Sequence, residues 1–119
     1  MHNLSQLISN VMFSFNINTG LFSIDPLDKN GSEFILDLSD DEDLTEFDNL
    51  CDLFIDNKVK HTKLESVDGT LFFDINIAGD IVITHIADQP DGLKESVFTI
   101  GGYDLLDTCT ILDKISRIM

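Results

Sequence analysis

The chain has 119 residues, of which 43% are hydrophobic, and a formal net charge of −15. The length fits one domain, and a sequence this rich in apolar residues, including nine Phe, is not a disordered acidic tail. The charge argues against binding to nucleic acid phosphates or to anionic membranes, and no apolar run approaches the roughly 20 residues that span a bilayer.

The N-terminal third is predicted to hold a short helix and three strands. Helical spacing near the N-terminus predicts the helix, and the apolar residues that carry it are Leu4, Leu7, Ile8 and Val11. Residues 12–17 and 21–24 predict a hairpin across Asn18-Thr19-Gly20. Residues 26–32 are rich in Pro, Asp, Asn and Gly and predict a loop, and residues 33–38 predict a third strand.

An acidic helix is predicted next, running from the N-cap Ser39 to about Asn57 or Lys58. Four carboxylates at residues 40–43 fall in its first turn, where they complement the positive end of the helix dipole. Its apolar face consists of Leu44, Phe47, Leu50, Cys51, Phe54 and Ile55. This pattern is typical of a helix with one side packed on a core.

The acidic helix belongs to the most charged stretch of the chain. Twelve of the 32 residues from Asp25 to Asp56 are Asp or Glu and only Lys29 is basic, so this stretch supplies −11 of the net charge. Self-repulsion of this size destabilises a compact state, and solubility needs a net charge of only about 2–8 in magnitude. The excess therefore indicates a strongly basic partner.

The second half is predicted to be a meander of strands that ends in a helix, with no internal repeat. The strands fall at residues 63–67, 71–77, 81–86 and 95–100, separated by turns at Asp68-Gly69, Ala78-Gly79-Asp80 and Gln89-Pro90-Asp91-Gly92. The final helix follows Gly101-Gly102. These elements predict one α+β domain over residues 1–119, with an antiparallel sheet of about six strands and the central acidic and C-terminal helices packed largely on one face.

The sequence contains no recognisable catalytic constellation. A Gly-rich phosphate loop and a Gly-x-Ser-x-Gly elbow are both missing, and His2, His61 and His85 stand apart from one another. We therefore predict that the chain is not an enzyme and needs no cofactor. Cys51 and Cys109 lie in apolar helical patterns and are predicted to be reduced core thiols.

Calcium binding is one alternative function that the sequence suggests. Asp28-x-Asn30-Gly31 resembles part of an EF-hand loop, with Asp37 at the position of the last ligand. The first ligand position would then be Pro26, which has no side-chain oxygen. The sequence therefore predicts no metal site, and a small calcium- or ligand-binding protein stays a weaker alternative.

Helical geometry predicts a carboxylate stripe on one flank of the acidic helix. With 100° per residue, the stripe residues fall between about 40° and 120° from Leu44, and they are Asp41, Asp48, Asp52 and Asp56. Glu42 and Glu46 lie further round on the solvent side, and Leu53 falls among the acids at about 180°. We predict that these seven residues bind a partner, with Leu53 as an apolar anchor. The alternatives are a solvated helix face, or an interface on the acid-rich segment from Asp25 to Asp37.

The order of elements resembles small bacterial immunity proteins of polymorphic-toxin and contact-dependent growth-inhibition systems. The residues that carry the resemblance are the strand pair from Met12 to Ile24 before the acidic helix, then Leu71-Phe72-Phe73-Asp74-Ile75, Gly79-Asp80-Ile81-Val82-Ile83, Val97-Phe98-Thr99-Ile100 and Asp104-Leu105-Leu106. It implies a cytoplasmic inhibitor of a cognate toxin domain, often a nuclease, and it transfers no single functional residue.

Electrostatics favours the same partner independently of the resemblance. A nuclease site is electropositive because it holds phosphates, so an acidic protein can occupy or border it. A phage-type nucleic-acid mimic that blocks a DNA-binding or CRISPR effector is the competing hypothesis, since it uses the same electrostatics.

The first six residues lack the basic and apolar segments of a secretory signal, and the predicted location is the cytoplasm.

Overall fold

The computed structural model describes residues 3–27, 32–56, 62–66 and 69–118. Within these residues the chain forms four strands and a helix, and then repeats that order once. The first unit contains β1 (Leu4–Ile8), β2 (Val11–Asn16), β3 (Leu21–Pro26), β4 (Phe34–Asp37) and α1 (Asp41–Asp56). The second unit contains β5 (Thr62–Ser66), β6 (Gly69–Ile75), β7 (Ile81–Gln89), β8 (Gly92–Ile100), a short 3₁₀ helix (Gly102–Asp104) and α2 (Leu105–Ile118).

Each unit builds its own antiparallel sheet, in the order β1-β2-β3-β4 and β5-β6-β7-β8. Helix α1 contacts β4 of the first sheet, β5 of the second sheet and α2, while α2 also contacts β1. Buried side chains of both sheets and both helices form one hydrophobic core. The α+β class with antiparallel strands is therefore confirmed, whereas the single sheet of about six strands is wrong, because a second sheet begins after the acidic helix.

The predicted N-terminal helix is wrong, since residues 4–8 form strand β1, which pairs antiparallel with β2. Helical spacing and strand alternation both fit these residues. The connection to β2 decides between them, because Ser9 and Asn10 both adopt positive φ, 51° and 62°. Two such residues form a type I′ turn, whose twist matches that of a hairpin. Ser-Asn is a weaker sequence signal for that turn than Asn-Gly, and the sequence analysis therefore did not predict this hairpin.

A hydrogen-bonded junction ties this first hairpin to the end of the second unit. The Ser9 hydroxyl donates to the Asp104 carboxylate at 2.5 Å and accepts the Gly101 N–H at 3.0 Å. Nearby, the Gly102 N–H donates to Asp80 Oδ1 at 2.8 Å. These contacts hold a non-glycine residue in the left-handed region, which an isolated Ser adopts uncommonly.

The remaining strand predictions are largely confirmed. Strands β2 and β3 form the expected hairpin, and β5 to β8 form the expected meander. Gly69, predicted in a turn, instead begins β6 with φ +139°, and a Cβ there would lie 2.3 Å from the Ile86 carbonyl oxygen. This close approach of β7 explains why the position holds Gly.

Several sequence predictions fall outside the described residues. They concern His2, His61, Asp68, the helix end at Asn57 or Lys58, and Asp28, Asn30 and Gly31 of the calcium-like segment. The side chain of Asp56 is likewise outside the description, although its backbone ends α1.

Candidate partner-binding surface

The first turn of α1 uses part of the acidic run for local structure. The Asp40 carboxylate accepts the Glu42 N–H at 3.0 Å, and the Asp40 carbonyl accepts the Leu44 N–H at 2.9 Å. Asp40 is therefore the N-cap, and the prediction of Ser39 was one residue early. Asp43 Oδ2 accepts the Asp37 N–H at 2.9 Å and fixes the end of β4 against the helix.

Asp37 completes this connection from the strand side. The Ser39 hydroxyl and then the Ser39 N–H donate to Asp37 Oδ1 and hold the pKa of the Asp37 carboxyl below its ordinary value of 3.8. Because the pKa is depressed in the folded state, this stabilisation is present above pH 3.8 and is lost as the pH falls through the folded-state pKa. Asp37, Asp40 and Asp43 thus organise the turn into α1.

Four carboxylates of α1 remain exposed and form what we call the carboxylate face: Asp41, Glu42, Asp48 and Asp52. Their exposure is as the helical spacing predicts. Asp48 and Asp52 are like charges at i, i+4, an arrangement that destabilises a helix by about 0.2–0.5 kcal/mol. The C-terminal end of α1 carries the negative pole of the helix dipole, which disfavours acids there, and its last turn contains no basic residue that would offset this. Their binding to a partner stays a prediction.

The expected apolar anchor on this helix is wrong, because Leu53 is only 7% exposed and belongs to the core. The buried arc of α1 runs from Leu53 through Leu50 to Cys51, which spans about 160° of the helix. One packing partner would bury a narrower arc. Since α1 contacts β4, β5 and α2, it buries two flanks, and Leu53 is not available to another protein.

Glu46 contacts the second sheet instead of extending the carboxylate face. Its carboxylate accepts the Glu65 N–H on β5 at 3.3 Å, and its side chain is half-buried. A groove of about 480 Å³ lies at this contact. We call it the acidic groove, and its lining residues are Asp40, Glu42, Asp43, Thr45, Glu46, Glu65 and Ser66.

The basic side chains of the described residues are engaged or lie outside α1. Lys63 pairs with Glu65 at 3.3 Å, and Arg117 pairs with Asp113 at 2.9 Å on α2. Among residues 3–27, 32–56, 62–66 and 69–118, no ion pair involves a carboxylate of α1. Within the described residues, the carboxylate face therefore presents negative charge with no ion-pairing base, and in the acidic groove Glu65 is the carboxylate that pairs with a base.

The described acidic residues do not cluster as metal ligands. In the described part of the chain, no group of three or more His, Cys, Asp or Glu side chains could hold a metal ion. His85 is fully buried, and its Nδ1 lies 3.1 Å from the Ser32 carbonyl oxygen. Its ring meets that of Phe34 edge-on at 5.5 Å, so this His has a structural place in the core.

The two cysteines are also structural, as the sequence predicts. Burial, assisted by the nearby Asp48 and Asp52, raises the pKa of the Cys51 thiol to about 12. Cys109 is half-buried and donates its thiol proton to the Phe54 carbonyl oxygen at 3.1 Å. Thiols held in the protonated form are poor nucleophiles.

Sequence reasoning missed one exposed surface, on the outer side of the second sheet. Pairing places Phe72, Thr84 and Val97 in one row across β6, β7 and β8. Together with neighbouring rows they form what we call the apolar sheet face, which contains Phe72, Val82, Ile86, Leu93 and Val97. A signal was present in the sequence, since Leu71-Phe72-Phe73 is apolar at consecutive positions and must place one residue on the outer side.

None of the helices described is both long enough and apolar enough to cross a membrane. The longest, α1, has 16 residues and contains most of the acidic run.

Comparison with known proteins identifies the fold and no family. No protein-family model matches the chain, and no curated protein matches it in sequence. Among solved structures, it is similar to a guide RNA-binding protein complex bound to a guide RNA. That similarity has a TM-score of 0.62 with 10% sequence identity, and it covers 98% of this chain and 88% of the other. At this identity the likeness establishes the fold alone.

Proposed function

We propose that this chain is a cytoplasmic inhibitor that binds a basic domain of another protein, as the immunity proteins of polymorphic-toxin and contact-dependent growth-inhibition systems bind their toxins. The observation that supports this proposal is the carboxylate face of α1, which is exposed and has no ion-pairing base among the described residues. An ordinary surface helix mixes signs so that acids and bases pair at i, i+4.

A nuclease domain fits this surface best. Its site must hold phosphates and is therefore electropositive, so carboxylates steer association and oppose wrong partners. The acidic groove adds concave surface beside the carboxylate face, and Glu42, Glu46 and Glu65 are among the residues that line it. The inhibitor needs no chemistry of its own, because occupying the site is sufficient.

RNA binding is not proposed, although the fold is shared with a guide RNA-binding protein. Binding to phosphates is driven by Lys and Arg that replace condensed counterions. This chain has seven Lys and Arg against 22 Asp and Glu. The shared backbone arrangement therefore serves a different partner here.

A nucleic-acid mimic is the second candidate, and the distribution of acids outside α1 favours it. Exposed carboxylates also occur across the second unit, at Asp74, Asp88, Asp91, Glu95, Asp107 and Asp113. A mimic needs such charges over an extended face, whereas a toxin inhibitor needs a localised interface. Charge reversals in the two units distinguish the two functions.

The decisive experiment compares two baits of equal net charge. Asp48→Lys with Asp52→Lys alters the carboxylate face, while Asp91→Lys with Asp107→Lys alters exposed sites of the second unit. Each bait is used for capture from the native host, and the captured protein is identified by mass spectrometry and purified. Wild-type and the second-unit variant are expected to capture the same basic nuclease, and the α1 variant is expected to lose it.

Association kinetics then test the electrostatic basis. Stopped-flow on-rates with the purified nuclease are expected to fall as salt is added, because steering acts over the Debye length. Equal loss with both variants would favour the mimic. A captured partner that is not basic, or binding unaffected by the α1 reversal in a folded variant, would overturn the proposal and direct attention to the segment from Asp25 to Asp37.

A further inference from the structure

The apolar sheet face exposes more apolar surface than a solvated sheet requires. Phe72 is 41% exposed, Val97 55% and Leu93 75%. Val82 and Ile86, between them on β7, are half-buried. A sheet normally buries such a stripe against another layer, and contiguous apolar patches on a monomer mark interaction sites.

The fold itself does not demand this exposure, since the first sheet is built differently. There the corresponding central row contains Ser5, Ser14 and Ser23 across β1, β2 and β3 and ends at Ile35 on β4. The exposed Leu7 and Leu21 lie in the neighbouring rows. Both sheets bury their inner faces in the same core. The central row of the second sheet, with Phe72 and Val97, is therefore the more apolar of the two.

The apolar sheet face is concave at one end. A groove of about 330 Å³ lies between β6 and β7, and its lining residues are the apolar Phe72, Phe73, Ile75 and Val82 and the polar Asp74, Asn76 and Thr84. A groove with apolar lining can desolvate an anchor side chain of a partner.

The apolar sheet face is continuous with the acidic groove of α1. Glu65 and Ser66 of β5 line the acidic groove, and the same two residues line a second groove with Thr70, Ile86 and Leu93 on the sheet. A partner seated against α1 can therefore extend across β5 onto the sheet without leaving the protein surface.

Charge decides what kind of partner fits. The rows of the apolar sheet face are bordered by the exposed carboxylates of Glu65, Asp74, Asp88 and Glu95. Lys63, the base on this face, is paired with Glu65. A second copy of this chain would bring another net charge of −15 to the same surface, which opposes self-association.

We propose that the apolar sheet face docks a cationic amphipathic helix of the partner protein. Its apolar side chains lie over Phe72, Val82 and Val97, and its Lys or Arg side chains meet the bordering carboxylates and the acidic groove. This inference rests on the proposed function and supplies the apolar anchor that Leu53 does not. It divides the interface into an electrostatic part on α1 and a desolvated part on the second sheet.

A synthetic probe tests this assignment. The probe is a helical peptide of about 18 residues made of Leu and Lys, with Leu at helical i, i+3, i+4 spacing. A control peptide has the same composition with Leu scattered around the helix. The amphipathic peptide is expected to bind about tenfold or more tightly than the control. It is also expected to shift the amide resonances of β6, β7 and β8 as well as those of α1.

Matched variants locate the anchor. Leu93→Thr with Val97→Thr removes exposed apolar groups from the second sheet, and Leu7→Thr with Leu21→Thr removes exposed apolar groups from the first sheet. The first variant is expected to bind both peptides equally, and the second is expected to keep the tenfold preference. Each substitution introduces Thr, a β-branched residue that strands accommodate.

The outcomes separate this inference from the proposed function. Equal affinity of the two peptides for wild-type protein, or resonance shifts confined to α1, would overturn the docking assignment and leave the basic partner intact. Failure of both peptides to bind at low salt would overturn both. A dimer in sedimentation whose apolar sheet face is protected from exchange would show that a second copy is the occupant.

Discussion

Both units consist of four strands and a helix, yet the first exposes mainly charged surface and the second also exposes an apolar sheet face. Residues 1–56 contain twelve acids and one base, and residues 57–119 contain ten acids and six bases. The first unit presents the carboxylate face on its helix and one row of Ser residues on its sheet, whereas the second presents the apolar sheet face. A repeated backbone thus supports two different surfaces, which the proposed amphipathic basic partner would contact with its charged and its apolar side chains.

The comparison extends to the first hairpin of each unit. Ile8 and Val11 close the hairpin of the first unit, and Ser66 and Gly69 occupy the same places in the second. Val11 is buried in the core. A side chain at Gly69 would collide with β7, because its Cβ would lie 2.3 Å from the Ile86 carbonyl oxygen. The corner of the second sheet therefore has no room for a side chain at this position.

The largest effect on stability is expected from Gly69→Ala. The substitution combines a backbone clash with a φ of +139°, and the free energy of unfolding should fall by about 3 kcal/mol or more. Gly92→Ala is the matched control, since its φ is +127° but nothing lies within 4 Å of the added Cβ. Its cost is expected to be about 1–2 kcal/mol. Urea denaturation measures both, and equal losses would contradict the steric account.

A smaller loss is expected when the junction between the units is removed. Ser9→Ala deletes the hydroxyl that donates to Asp104 and leaves the Gly101 N–H without its acceptor, which should cost about 1–2 kcal/mol. Ser5→Ala, at an exposed position of the adjoining strand β1, should stay within about 0.5 kcal/mol. Chemical denaturation compares the two variants, and an equal response would show that the junction contributes nothing.

The smallest effect concerns the unbalanced charge of the first unit. Asp52→Asn removes the like-charge pair with Asp48 and should raise the stability of the isolated protein by about 0.2–0.5 kcal/mol. Asp107→Asn, in the first turn of α2, should lower it slightly, because an acid there complements the helix dipole.

Added salt tests the effect of the unbalanced charge on stability in the wild-type protein. The melting temperature of the wild-type protein should rise from low to moderate sodium chloride as self-repulsion is screened, and the rise should be smaller in Asp52→Asn. A melting temperature that falls steadily with added salt would show that net repulsion does not control stability.

Local signals were sufficient to predict much of the fold. The α1 helix, the β2–β3 hairpin and the meander of the second unit follow from periodicity and turn residues. The predictions that were wrong depend on contacts between residues that are far apart in sequence. Residues 4–8 fit two periods, and the contact that favours the strand involves Asp104, far along the chain. The duplication of the unit lies in the backbone arrangement, with no sequence repeat to reveal it.

The part of the candidate site that depends on local sequence could also be predicted. Helical spacing placed Asp41, Asp48 and Asp52 on the exposed side, because that placement depends on the helix alone. The position of Leu53 depends on how many neighbours surround α1, and β5 and α2 are specified by distant residues. The apolar sheet face depends on register, since pairing between β6, β7 and β8 aligns residues that are scattered in sequence.

The Ser9–Asp104 contact also bears on how the chain folds. Its two residues are separated by 95 positions, and α2 packs on β1, so these contacts of the first strand form only after the last helix has been made. Closing so long a loop is entropically costly and slows folding. During synthesis, the β1–β2 hairpin can pair locally, but the contacts that join it to α2 must wait until the C-terminal segment has left the ribosome.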